Sequence, residues 1–148
     1  MKATSKARSA ARLAAVQALY QLEMEQTAMA RLLDEFHQHR LGAEIEDEQY
    51  LDADSAFFDD VVRGTHARRE EIDALITARL ATGWTLARID KTMLQILRAG
   101  TYELLSRGDV PTATVISEYL DVAHAFFDAR EAKFVRSEEH TSELQSPC

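Results

Sequence analysis

Apolar side chains recur at three- and four-residue spacing almost from the start of the chain. Leu13, Val16, Leu19, Tyr20 and Met24 fall on one broad stripe when each residue turns by about 100°, the signature of a helix with one buried face. Thr4 or Ser5 suits the amino-terminal cap of that helix, which is expected to run to about Thr27. Leu32, Leu33 and Phe36 predict a second helix over about Ala28 to Leu41, stopped at Gly42, a residue able to take the left-handed cap conformation. The acidic stretch 43–54 is a loop in this reading. Phe57, Phe58, Val61 and Val62 open a third helical region that continues through Ile72, Leu75, Ile76 and Leu80. Its polar middle, Arg63 to Glu71 with Gly64 inside it, fits either one long helix or two shorter ones. Gly83 and Trp84 mark a break, and Ile89, Met93, Leu94, Ile96, Leu97, Tyr102, Leu104 and Leu105 then predict a helix apolar over much of its circumference. Such a helix belongs at the centre of a bundle. Gly108 to Pro111 ends it, since a proline pushes the residue before it out of the α region and itself suits the first turn of a following helix. That following helix carries two adjacent apolar rows, Val115/Tyr119/Val122/Phe126 and Ile116/Leu120/Ala123/Phe127.

Composition narrows the class further. Five glycines and two prolines in 148 residues are too few for the turns of a sandwich or barrel or for a collagen-like repeat. A chain of this length buries roughly 68–70% of its unfolded surface, so one real core is expected without disulfides or metal. A break near residues 82–85 divides the chain into an amino-terminal bundle, 1–82, and a carboxy-terminal one, 83–135. No run approaches 18 consecutive apolar residues and no apolar segment follows the basic amino terminus, which predicts neither a membrane span nor a signal peptide and hence a cytoplasmic protein. The single cysteine, Cys148, makes no internal bridge and removes cysteine-based metal or redox chemistry.

The formal net charge is −8, but its distribution matters more than its sum. Met1 to Leu22 holds four cations, Lys2, Lys6, Arg8 and Arg12, and no acid, leaving 13 basic against 25 acidic groups in the rest of the chain. A basic arm on an acidic body points to nucleic-acid binding by the arm; a solvated helix start is the plainer alternative. Cations at a helix amino terminus oppose its dipole, at a cost of roughly 0.3–1 kcal/mol each where exposed. Arg8 and Arg12 fall on the same side as the apolar stripe. Either the first turns overhang the bundle and present both to a ligand, or Arg12 is tied to a carboxylate at the edge of the core.

Catalytic patterns are not found. There is no glycine-rich phosphate loop, no G-x-S-x-G elbow and no H-E-x-x-H. His37 and His39 point about 200° apart on a helix and share no metal. Asp52, Asp54 and Asp60 resemble a calcium loop only faintly, with Phe57 where a glycine is needed and Arg63 where a glutamate is needed. His124 reads as a boundary histidine, Glu118 and Asp121 as a solvated face. The expectation is a non-enzyme that needs no cofactor.

Three segments carry a family resemblance. Ala11-Arg-Leu-Ala-Ala-Val-Gln-Ala-Leu-Tyr20, preceded by the basic arm, Ile96-Leu-Arg-Ala-Gly-Thr-Tyr-Glu-Leu-Leu105, and Asp109-Val-Pro-Thr-Ala-Thr-Val-Ile-Ser-Glu-Tyr-Leu-Asp-Val-Ala-His-Ala-Phe126 resemble, in order and spacing, the NusB family of transcription antitermination factors. Lys133-Phe-Val135 is similar to the start of its last helix, so the resemblance covers residues 1–135. It implies an all-α fold of two small three-helix bundles packed at right angles, with no enzymatic activity. It also implies pairing with the small-subunit ribosomal protein NusE, binding of the boxA element of ribosomal RNA leader transcripts, entry into the RNA polymerase antitermination complex, and room for a homodimer when free. Carried onto this chain, the RNA-binding positions are Lys2, Lys6, Arg8 and Arg12, with Tyr20 as a stacking or a core-packing residue and Lys133 and Phe134 from the last-helix motif. Arginines bridge phosphates bidentately and aromatic rings stack on unpaired bases. Four cations support a salt slope of at most about −2.8 on single-stranded RNA, so NusE is expected to supply part of the affinity. Two other classes stay open: the accessory domain of an RNA-modifying system, and a helical protein-interaction module with no RNA role.

Residues 136–148, Arg-Ser-Glu-Glu-His-Thr-Ser-Glu-Leu-Gln-Ser-Pro-Cys, depart from the family's apolar last helix. They resemble a translated sequencing-library adapter, which makes an assembly artefact or a disordered tail the expectation. A few hundred Å2 of lost apolar cover is worth several kcal/mol, so a less stable chain is expected.

Overall fold

The computed structural model describes residues 2–39 and 54–137, with side chains described for 6–38 and 54–128. Of the expected acidic loop at 43–54 all but Asp54 lies outside the described residues, as do the Gly42 cap and the tail beyond Ser137. Within them the chain forms six α-helices and no strand: α1 (Lys2–Glu25), α2 (Met29–His39), α3 (Ser55–Ala67), α4 (Arg69–Arg79), α5 (Lys91–Ser106) and α6 (Thr112–Ser137), with a short 3-10 turn at Leu86–Arg88. None of these helices is long and apolar enough to cross a membrane.

Local chemistry sets most boundaries. Helix α1 already begins at Lys2, upstream of the expected Thr4/Ser5 cap, and ends where Gln26 takes a left-handed φ of 55°. Asp54 caps α3 by accepting from the Phe57 amide at 3.0 Å, and Asp90 caps α5 by accepting from the Thr92 and Met93 amides at 2.8 and 3.1 Å. The polar middle of 53–81 proves to be a one-residue joint. Arg68, at φ −105° and ψ 22°, separates α3 from α4, while its amide still bonds Gly64 O at 3.0 Å.

Helix α5 is the central element, packing against α1, α3, α4 and α6. Ala11, Ala14, Ala15 and Ala18 line the buried face of α1 and let it approach α3 closely. The main core joins this face to Leu32, Leu33 and Phe36 of α2, Phe57, Phe58, Val61 and Val62 of α3, Ile96 and Ala99 of α5, and Val115, Tyr119 and Val122 of α6. The core therefore crosses residues 82–83 without interruption. A smaller cluster of Ile72, Ile76 and Tyr102 holds α4 on α5. The two apolar rows of α6 differ: Val115, Tyr119 and Val122 are buried, but Ile116 and Leu120 are more than half exposed. Trp84, 52% exposed, carries the Arg88 guanidinium 5.4 Å from its ring centre.

Thr65 on α3 is buried, and its hydroxyl oxygen has no hydrogen-bond partner among the described residues. An unpaired buried hydroxyl costs on the order of 1–3 kcal/mol. Thr65→Val, which keeps the shape and removes the oxygen, is therefore expected to raise stability by about 1 kcal/mol in a denaturant melt. A lower midpoint would show that the hydroxyl is satisfied in solution.

Candidate nucleic-acid interface

The amino-terminal turns of α1 bring the basic arm to the surface, but its cations meet different fates. Lys6 is exposed. Arg12 takes the second of its two expected alternatives and is not presented to a ligand: it is 3% exposed and faces a fully buried Glu103. Arg12 Nε donates to Glu103 Oε2 at 2.7 Å and Nη2 to Oε1 at 3.1 Å, while Nη1 reaches Glu118 Oε1 at 3.2 Å. The Tyr119 hydroxyl also donates to Glu103 Oε2, at 2.6 Å, and Ser9 Oγ donates to Glu118 Oε1 at 2.7 Å. Buried charges survive only when paired and hydrogen-bonded in this way. Burial alone would depress the Arg12 pKa, but the hydrogen bonds and charge of Glu103 outweigh it and hold the pKa above the usual value. Burial first, then the adjacent Glu103 carboxylate, raise the Tyr119 pKa well above its usual value and keep the phenol a donor. Glu118, expected on a solvated face, is thus part of this lock. His124, expected at a boundary, is instead well exposed, with Nδ1 3.5 Å from Asp128.

Arg8 lies one turn earlier, at the rim. Its Nη1 donates to Asp109 Oδ2 at 3.3 Å and its Nε sits 3.6 Å from Asp54 Oδ2. Phe57 anchors this corner of the molecule: the guanidinium carbons of Arg8, Arg12 and Arg107 lie 4.7, 4.9 and 4.9 Å from its ring centre. Each such stack is worth on the order of 0.5–1 kcal/mol where exposed and more where desolvated. Arg107, at the end of α5, was not among the sequence candidates. It donates from Nε and Nη2 to Asp109, both at 3.2 Å, and from Nη1 to Asp60 at 3.0 Å. Nothing local in the sequence marks it, because its neighbours on the ring come from α1 and α3.

Tyr20 is 39% exposed and does not close the core. Its ring borders a groove of about 360 Å3 with Val16, Gln17, Gln21, Glu25, Thr92 and Phe126. Lys2 lies on α1 and Lys133 and Phe134 on α6, with side chains outside the described set. The structure therefore brings Arg8 together with Arg12 and Arg107, and leaves Lys6 and Tyr20 as separate exposed groups. At the far end of α1 a second lock forms, in which Glu23 accepts from Arg98 and from Gln95 Nε2, the latter at 2.9 Å, while Arg98 also grips Asp73 bidentately at 2.8 and 2.9 Å. Both locks fix the direction in which α1 projects its first turns.

The sequence profile of the NusB family matches residues 9–136. The chain belongs to the NusB family. It is 72% identical over 132 residues to the transcription antitermination protein NusB of Novosphingobium aromaticivorans, covering 89% of each chain. The protein of that name from Sphingopyxis alaskensis is 67% identical over 134 residues, 90% of each. In three dimensions the chain is similar to T. maritima NusB, with a TM-score of 0.64 and 27% identity over 80% of this chain and 78% of that one. It is also similar to a chain in the crystal structure of a plectonemic RNA supercoil, with a TM-score of 0.70 at 22% identity over 96% and 99%, a likeness of fold. The matched NusB segment ends at the residue where the unfamiliar tail begins.

Proposed function

We propose that this protein is a non-enzymatic, cytoplasmic transcription antitermination factor that binds boxA RNA in ribosomal RNA leader transcripts together with NusE and keeps RNA polymerase elongating through terminators. The observation that carries this reading is the 72% identity over 132 residues to a protein named transcription antitermination protein NusB, to which the family resemblance adds boxA and NusE. The exposed Lys6, the rim position of Arg8 and the open Tyr20 ring support a docking face along the outer side of α1. Lys2, Lys133 and Phe134 are further candidates from the family resemblance. Arg12 contributes indirectly, by holding α1 against α5 and α6.

Titration of labelled boxA RNA, with and without NusE and across salt, tests the reading. Replacing Lys2, Lys6 and Arg8 together by alanine is expected to weaken binding at least tenfold and to flatten the salt dependence by about 2 in log-log slope. Equal binding by the triple variant would place the RNA on some other surface, and no binding by the unchanged chain with or without NusE would leave a protein-interaction role without RNA. Binding only when NusE is present would show that the two proteins form the RNA site jointly.

A further inference from the structure

Two guanidiniums from distant parts of the chain converge on one surface carboxylate. Asp109, in the turn between α5 and α6, is half exposed, yet it accepts from Arg107 Nε and Nη2 at 3.2 Å each and from Arg8 Nη1 at 3.3 Å. Arg8 comes from α1 and Arg107 from the end of α5, and both stack on Phe57. Arg107 is braced from behind by Asp60, which also accepts from the Tyr102 hydroxyl at 2.6 Å. Arg8 Nε is buried 3.6 Å from Asp54 Oδ2, with no hydrogen-bond partner among the described residues, so it is the Nη side of this guanidinium that faces Asp109.

A carboxylate held between two guanidinium forks has the valence of a phosphodiester: one negative charge spread over two oxygens, each accepting from planar N–H groups. We propose that Arg8 and Arg107 form a clamp for one RNA backbone phosphate, and that Asp109 is its internal occupant in the free protein. The inference rests on the RNA-binding reading above and adds to it a residue, Arg107, and a competitor, Asp109. Hydrogen bonds and charge from Arg107, with a further hydrogen bond from Arg8, hold the Asp109 carboxyl below its usual pKa, so it competes as an anion at neutral pH. RNA binding at this point is an exchange of one anion for another. Val110 anchors the turn in the core, so the exchange needs only the half-exposed Asp109 side chain to rotate away, whereas Phe57 and Asp60 keep the two forks in place.

Affinity for boxA RNA, measured with NusE present, tests the clamp. Asp109→Asn keeps the shape and removes the competing charge, and is expected to tighten binding three- to tenfold. Arg107→Gln is expected to weaken it about tenfold, and Arg107→Lys, which keeps the charge but loses the fork, to weaken it nearly as much. The gain from Asp109→Asn should vanish in the Arg8→Gln/Arg107→Gln background. If the gain persists there, it is long-range electrostatics and the clamp is rejected. If Arg107→Gln binds as the unchanged chain does while Lys6→Ala binds less well, RNA docks on the arm but not here. If the unchanged chain binds no RNA at all, the functional reading falls and the clamp with it. Helical dichroism of each variant confirms that the comparison is made on folded protein.

Discussion

Arg12→Ala is expected to lower the free energy of unfolding by about 3–5 kcal/mol, the cost of stranding a buried carboxylate. Glu103 has no exposure to water, and with Arg12 gone it keeps only the Tyr119 hydroxyl as a described hydrogen-bond donor. For a domain of this size each kcal/mol shifts the melting temperature by roughly 2–4 °C, so a fall of about 10 °C is anticipated. Glu103→Leu alone should also be destabilising, because it leaves the buried guanidinium with Glu118 as its one described carboxylate partner. The double variant Arg12→Met/Glu103→Leu is expected to be less damaged than either single change, because apolar pairs of similar volume replace buried ion pairs at little cost. A stability unchanged within about 1 kcal/mol in Arg12→Ala would show that water reaches Glu103, and that Arg12 is free for RNA after all. The distinction matters for any RNA experiment on the arm: weaker RNA binding by an Arg12 variant reports loss of the fold before it reports loss of a phosphate contact.

Gly64→Ala is the second large effect. A methyl group at Gly64 would lie 2.1 Å from Tyr102 Cζ and 2.3 Å from the ring edge and hydroxyl. On helix propensity alone the change would stabilise by about 1 kcal/mol. Here the ring has nowhere to go, since Tyr102 packs on Ile72 and Ile76 and its hydroxyl bonds Asp60. Overpacking of this kind costs typically about 1–3 kcal/mol, and the lost hydrogen bond adds to it, so a net loss of about 2 kcal/mol is expected in a denaturant melt. Tyr102→Leu should relieve most of that loss when combined with Gly64→Ala, a coupling that a double-mutant cycle reads directly. A stabilised Gly64→Ala variant would mean that α3 and α5 are further apart than the structure has them.

Fold class was legible in the chain because helix periodicity is a local property. The wide apolar circumference of α5 marked it as central, and it touches four other helices. Pro111 marked the end of that segment, and α6 begins at Thr112. The break between α3 and α4 was not legible. It rests on the backbone of Arg68, a residue with no breaking tendency of its own, inside a stretch whose polarity fits a continuous helix equally well. At the candidate interface the sequence placed Arg12 on the apolar stripe and posed the right alternatives. What it could not supply was Glu103, 91 positions away on a helix that reads as apolar, or Glu118, whose spacing resembles a solvated face. Arg107 escaped for the same reason: its significance depends on Arg8 and Phe57, brought beside it only by the packing of α1 and α3 on α5.

Trp84 is the chain's sole indole, half open to water in the folded state with a guanidinium above it. Its fluorescence therefore starts close to the solvent-exposed limit and has little further to travel when the chain opens. Intrinsic emission is a poor reporter for the melts described above, while the far-ultraviolet signal of six helices is a strong one. The cation on this indole is Arg88 and not one of the three on Phe57, so quenching there would register contacts at the turn before α5.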